Sequence, residues 1–216
     1  MGLPNETGIY PFYKPKGMSS YDVIRLLKRK FPHEKIGHGG TLDPLAEGVL
    51  VIAIGKEYTK KLQTILKGTR KTYITVIELG KISETDDGEG VIKPVPEAVP
   101  PTQEHVDSYV QSFVGHIQQV PPRYSAVKID GEPAYKRARR GENFTLKPKR
   151  VVIEKIDVLK YEYPFLTLNV VCQSGVYIRS LARDIGEKLE TGGYMKSLVR
   201  KAVGHYSSND AIELSS

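Results

Sequence analysis

The chain has 216 residues, 39% of them hydrophobic, which suffices for a buried core and excludes wholesale disorder. Its 32 Lys and Arg outnumber 25 Asp and Glu, and the balance of +7 favours a polyanionic partner, because cations that neutralise phosphates release condensed counterions. The single cysteine, Cys172, excludes an intramolecular disulfide and a thiolate metal cluster, and no run reaches the roughly 18 apolar residues of a membrane span.

Residues 1–13 lack the basic-then-apolar order of a secretory signal, so a reducing cytoplasm is the expected compartment. Residues 9–13 read as a short strand ending at the turn Lys14-Pro15-Lys16-Gly17. Ser19 or Ser20 then caps a helix with Val23, Ile24, Leu26 and Leu27 at helical spacing. Residues 36–47 form a Gly-rich loop, and the unbroken apolar run 49–54, closed by Gly55, suits a strand buried on both faces. A helix is expected over 57–66 and a strand over 71–79, with Tyr73, Thr75 and Ile77 on one face. Residues 81–101 are polar, then Pro-rich, and read as an exposed excursion.

Thr102 opens a helix with Val106, Tyr109, Val110 and Phe113 as its stripe and Gly115 as its end. A strand over 124–129, an Asp130-Gly131 turn and a short basic helix from Pro133 follow. Two long strands, 151–160 and 166–172, precede a helix over 176–189 and a last strand over 198–205. Cys172 ends an apolar run and reads as a small core residue. Strand partners look antiparallel as often as parallel, which makes the chain an α+β domain around a mixed sheet.

Four segments carry chemistry. In Gly37-His38-Gly39-Gly40-Thr41-Leu42-Asp43-Pro44-Leu45-Ala46-Glu47-Gly48, glycines let a ligand approach the backbone, and the proline biases Asp43 toward an extended conformation. Asp43 is then either a reachable carboxylate held before a buried strand or the acceptor of an Asx-type turn. His38 has no partner at metal-ligand spacing, so it reads as a loop histidine touching substrate or backbone, and no metal is expected. In Gln173-Ser174-Gly175-Val176-Tyr177-Ile178-Arg179, a helix start follows a strand end, and Arg179 is either exposed or partner to a carboxylate or phosphate. Lys71-Thr72-Tyr73 places a strand tyrosine beside cations, as core or as a stacking platform.

The fourth segment runs from Pro121-Pro122-Arg123-Tyr124-Ser125-Ala126-Val127-Lys128 into a stretch with Lys136, Arg137, Arg139, Arg140, Lys147, Lys149 and Arg150. Tyr124, Tyr135 and Phe144 interleave with these cations, which suits looped RNA, or a solvated face with ordinary aromatics. Phosphate-binding, dinucleotide and serine-hydrolase signatures are absent from the sequence.

These segments, with Lys14-Pro15-Lys16-Gly17-Met18-Ser19-Ser20 before them, resemble the TruB family of pseudouridine synthases in order and across nearly the whole chain. Gly40-Thr41-Leu42-Asp43-Pro44 followed by Gly48 is the most specific match. The resemblance implies a pseudouridine synthase core, a mixed, mainly antiparallel sheet with flanking helices and loops. It implies Asp43 as the essential carboxylate, Tyr73 stacked on the target base, and Arg179 paired with Asp43, with Tyr177 and Leu198 lining the pocket. His38 would contact nucleotides flipped out of the T-loop, and Lys14, Arg123, Tyr124, Lys128, Arg137, Arg139 and Arg140 would bind RNA.

The reaction so implied isomerises the T-loop uridine of tRNA (position 55), needs no cofactor, and starts with attack of Asp43 on C1′ of the ribose or C6 of the base. The target must first leave its stack, at a cost of a few kcal/mol. Residues 1–216 are expected to form one catalytic domain without the C-terminal PUA domain of many relatives, acting as a monomer. A non-catalytic RNA-binding or RNA-folding protein on the same core is the rival from another class.

Overall fold

The computed structural model describes residues 3–214. They form two compact units, Met1–Ile74 with Leu198–Ser216, and Thr75–Ser197. The first unit opens with β1 (Gly8–Lys14), α1 (Ser20–Lys30), β2 (Ile36–His38), β3 (Glu47–Ile54) and α2 (Lys56–Leu66), and the chain leaves it inside β4 (Lys71–Leu79). Ser19 caps α1: its hydroxyl accepts from the Asp22 N–H at 3.1 Å, and Asp22 Oδ2 accepts from the Ser19 N–H at 2.8 Å. Such a cap is worth about 1 kcal/mol, and Lys28, Arg29 and Lys30 in the last turn suit the helix dipole.

β3 is the axis of this unit. It runs antiparallel to β1, from Gly8 opposite Ile54 to Lys14 opposite Gly48, and antiparallel to β2. Its apolar run has two buried faces, as expected. Leu50, Ile52 and Ile54 pack with Phe12, Val23, Leu27 and Ile212, while Val49, Val51 and Ala53 pack with Leu62, Leu66 and Val203. Period-two alternation sends successive residues to opposite faces, and each fully buried aliphatic side chain contributes roughly 1.5–3 kcal/mol.

The second unit takes the rest of β4 and then β5 (Lys81–Ser83), β6 (Ile92–Pro94), α3 (Gln103–Gln111), β7 (Gly115–Gln119), β8 (Lys128–Ile129) and β9 (Glu132–Pro133). It continues through α4 (Ala134–Arg139), β10 (Lys149–Glu162), β11 (Phe165–Cys172), α5 (Ile178–Lys188) and the start of β12 (Gly193–Val203). Its strand order is β12-β4-β11-β10-β7, with β10 antiparallel to both neighbours and α3 packed on β10 and α5. The chain re-enters the first unit inside β12 and adds β13 (Tyr206–Ser207) and β14 (Ile212–Glu213). The order there is β14-β1-β3-β12, with parallel pairing at β14–β1 and β3–β12. The fold is therefore α+β, with mixed and mainly antiparallel strand pairing.

Several expectations shift: β2 opens the segment expected to be all loop, and β12 begins at Gly193 and is followed by β13 and β14. The strand expected over 124–129 shrinks to β8, because the Ser125 and Val127 carbonyls accept from the Tyr135 and Ala134 N–H groups at the start of α4. Gly115 begins β7 as well as following α3, a strand without apolar alternation (Gly-His-Ile-Gln-Gln) that pairs with β10. The excursion 81–101 is not uniformly exposed: β5 and β6 form a hairpin, and Asp87 is 1% exposed. No helix among the described residues is long and apolar enough to cross a membrane.

Candidate active site

In the first unit, the loop between β2 and β3 is fastened at almost every turn. Asp43 is half-buried, and its main-chain carbonyl accepts from the Ala46 N–H at 3.1 Å, closing a turn with Pro44 at the position that favours its fixed φ. The Ser20 hydroxyl both donates to the Leu42 carbonyl at 3.0 Å and accepts from the Leu42 N–H at 2.9 Å. Gly17 N–H donates to the Pro44 carbonyl at 2.7 Å, so the Lys14–Ser20 turn braces the loop. Lys14 does not face RNA as expected. Its side chain is fully buried, and Nζ donates to the Met18 and Pro15 carbonyls at 2.6 and 3.0 Å, which fastens that turn.

His38 ends β2, with Nδ1 buried and without a hydrogen-bond partner. Burial, and then the charge of Arg200, hold its pKa below the usual histidine value against a hydrogen bond at the Gly40 backbone, so the imidazole is neutral at pH 7. Tyr73, on β4, and Leu198, on β12, are buried at 6% and 7% exposure in the same unit.

The second unit holds Arg179 and Tyr177 at the start of α5. Arg179 is buried, not exposed: Nη1 lies 3.3 Å from Asp87 Oδ2 and donates to the Thr85 carbonyl at 3.2 Å, and Nη2 donates to the Tyr124 carbonyl at 3.1 Å. Asp87 is held in turn by the Thr85 hydroxyl at 2.6 Å and the Glu89 N–H at 3.0 Å. Tyr177 is pinned through its backbone, since Gln119 Oε1 accepts from its N–H at 2.8 Å and Gln119 Nε2 donates to its carbonyl at 3.1 Å. Sequence reasoning missed Asp87 and Gln119. Asp87 sits in a polar stretch that looks like a loop, and Gln119 in a strand without alternation.

Asp86, beside Asp87, adopts a left-handed backbone (φ 61) and accepts from Arg183 Nη1 at 2.9 Å. Burial outweighs the nearby arginines and pushes its pKa up to about 6. A carboxyl whose folded pKa is raised binds more protons folded than unfolded between the two values. Its contribution to stability therefore falls as pH rises from about 4 to about 6 and is level above. Asp86→Asn, which tolerates the same backbone, is expected to remove that slope, as urea midpoints measured across this range would register.

Three arginines of the basic segment of this unit are bonded within the segment itself. Arg140 makes two bonds to Glu132, at 2.8 and 2.6 Å, and one to Glu142 at 2.6 Å, while Arg137 binds Glu142 at 2.7 Å. Arg123 bonds the Glu142 carbonyl at 2.8 Å and lies 4.8 Å from the Phe144 ring centroid. These contacts build the α4 hairpin, so Arg137 and Arg140 are structural cations before any RNA arrives. Lys128 and Arg139 are exposed, the latter over the Tyr135 ring at 5.6 Å, and Tyr124 is half-buried.

The charge surplus lies elsewhere. The first unit carries fifteen basic against eight acidic residues, and the second seventeen of each. On α2 and its end, Lys56, Lys60 and Lys67 are exposed and recur at spacings that share one helical face. No group of three or more His, Cys, Asp or Glu among the described residues is placed to hold a metal.

Residues 28–178 match the family described as TruB family pseudouridylate synthase (N terminal domain), and residues 179–216 match the tRNA pseudouridylate synthase B C-terminal domain. Proteins named tRNA pseudouridine synthase B are similar over most of the chain. The one from Prochlorococcus marinus (strain NATL2A) is 43% identical over 203 residues, covering 93% of this chain and 64% of its own length. That from Clostridium kluyveri is 39% identical over 207 residues, covering 96% and 71%, and that from Bacteroides fragilis is 42% identical over 199, covering 89% and 84%. The chain thus spans less than two thirds of the Prochlorococcus relative. Among solved structures, the crystal structure of a Cbf5-Nop10-Gar1 complex is similar with a TM-score of 0.75 and 27% identity, covering 97% of this chain and 53% of that one.

Proposed function

Because the chain belongs to the TruB family of pseudouridylate synthases, we propose that it isomerises the uridine at position 55, in the T-loop of tRNA, to pseudouridine, with Asp43 as the catalytic carboxylate. The observation that carries this reading is the Asp43 loop itself. Its backbone is bonded from both flanks, yet it leaves the aspartate half-buried rather than sealed in the core.

The chemistry follows from the residues. The anionic Asp43 either displaces uracil at C1′ or adds to C6 before the N1–C1′ bond breaks. The freed uracil rotates and forms the C5–C1′ bond, the bond to Asp43 breaks to return the carboxylate, and the proton on C5 leaves while N1 takes one up. Nothing is oxidised or reduced, so the proposed reaction calls for no cofactor or metal. Arg179, proposed to pair with Asp43, keeps the carboxylate ionised under the substrate, where burial would otherwise raise its pKa. Tyr73 stacks on the flipped base and returns part of the unstacking cost, while Tyr177 and Leu198 line the pocket. His38, neutral, meets the flipped nucleotides, and Arg123, Tyr124, Lys128 and Arg139 contact RNA. The enzyme is proposed to act as a cytoplasmic monomer, with residues 1–216 as one catalytic domain.

Single-turnover pseudouridine formation on an unmodified tRNA transcript, with the product position mapped, tests the reading. Pseudouridine at the T-loop uridine supports it. No product despite tRNA binding would replace it with the non-catalytic RNA-binding alternative. In the same assay Tyr73→Ala is expected to lower the rate about ten- to hundredfold, in keeping with the roughly 1–3 kcal/mol of base–aromatic stacking. Unchanged kinetics would reject the stacking role.

A further inference from the structure

Arg200 lies in β12 at 1% exposure, and its guanidinium is shared among main-chain carbonyls. Nε donates to Val49 at 2.7 Å, Nη2 to Gly40 at 3.1 Å and Nη1 to Thr41 at 3.5 Å. Two of these carbonyls precede Asp43 and one follows it, so a single planar fork ties both ends of the loop. The backbone brings Arg200 there. It sits opposite Gly48 in the parallel β3–β12 pairing, and Gly48 has φ 105, with the site of a Cβ only 2.3 Å from the Arg200 carbonyl oxygen. Any side chain at residue 48 would force β12, and the guanidinium with it, away from the loop.

Ser20 works on the same loop. Its hydroxyl, on a residue 3% exposed, satisfies both the N–H and the C=O of Leu42, immediately before Asp43. We propose that Arg200 and Ser20 are positioning residues that together clamp the backbone around Asp43 and set its distance from the reacting atom. This rests on the reading of Asp43 as the catalytic carboxylate.

The residue types suit the task. A guanidinium presents several donors in one fixed plane, whereas a lysine ammonium at the same depth is a point charge that cannot span three carbonyls. A hydroxyl is the smallest group that donates and accepts at once. Neither residue needs to touch RNA. Their effect belongs in the chemical step, where a misplacement of about 1 Å costs on the order of a hundredfold in rate.

Arg200→Lys and Ser20→Ala test the clamp, each assayed at a temperature where circular dichroism shows it fully folded. Three quantities are measured: the single-turnover rate constant on unmodified tRNA transcript, tRNA affinity by filter binding, and amide hydrogen exchange of a peptide covering residues 39–46. Arg200→Lys is expected to slow turnover about ten- to hundredfold, to leave affinity within about threefold, and to speed exchange in that peptide. Ser20→Ala is expected to move all three in the same way with a smaller rate loss. Turnover within about twofold of wild type in both folded variants would overturn the proposal, as would a rate loss matched by an equal loss of affinity. A wild-type protein that forms no pseudouridine would instead defeat the functional reading. Exchange then decides the clamp alone: faster exchange upholds it, and unchanged protection of residues 39–46 overturns it.

Discussion

Asp43→Asn is expected to lower single-turnover pseudouridine formation by about 10⁴-fold or more while leaving tRNA affinity within about threefold. Asparagine has the same shape and tolerates the same backbone, and the main-chain carbonyl of residue 43 closes the turn over residues 43–46. The Ser20 and Arg200 bonds to the loop are also to main chain, so the substitution leaves the scaffold standing. What disappears is the anionic oxygen proposed to attack the substrate, and a neutral amide is a far poorer nucleophile. Affinity persists because a polyanion is held by many phosphate contacts, and removing one negative charge from a protein of net charge +7 does not weaken them. Rate and filter binding measured side by side check the prediction. An Asn variant with wild-type turnover would remove Asp43 from the mechanism.

Asp87→Ala is expected to destabilise the protein by about 3–5 kcal/mol and to slow turnover more than about a hundredfold where the variant remains folded. Asp87 and Arg179 are 1% and 8% exposed at the side chain and 3.3 Å apart, so the pair has little solvent to screen it. Deleting the carboxylate leaves the guanidinium buried beside a gap, and it also strips the Thr85 hydroxyl and the Glu89 N–H of their acceptor. The rate falls because Arg179 is proposed to hold Asp43, and a loosened guanidinium orients that carboxylate poorly. Urea unfolding reads the first effect and single-turnover kinetics the second. A stability change below about 1 kcal/mol would mean that the other partners of Arg179 suffice to place it.

Much of the scaffold is local. The run 49–54 announces β3, and the Ser19 cap with its apolar stripe announces α1, because period and capping depend on residues a few positions apart. The Asp130-Gly131 turn and the basic helix after Pro133 are legible for the same reason, since both depend on backbone preferences of adjacent residues. The partners of individual cations are less legible. Lys14 looks like an RNA contact until its ammonium is found inside a turn, and Arg137 and Arg140 look free until Glu132 and Glu142 are placed against them. A charge count registers cations but not their partners.

The sequence by itself determined the family, the α+β class and the loop that carries Asp43, because glycine, proline and aspartate act on their own backbone and the motif occupies twelve consecutive residues. Only the tertiary structure decided which polar side chains serve that loop, and which groups hold Arg179. Ser20 meets Leu42 across 22 positions, Arg179 meets Thr85 across 94, and Arg200 meets Gly40 across 160. Such bonds form when packing buries a donor beside an unpaired carbonyl, and burial is a property of the folded chain that no neighbouring residue encodes.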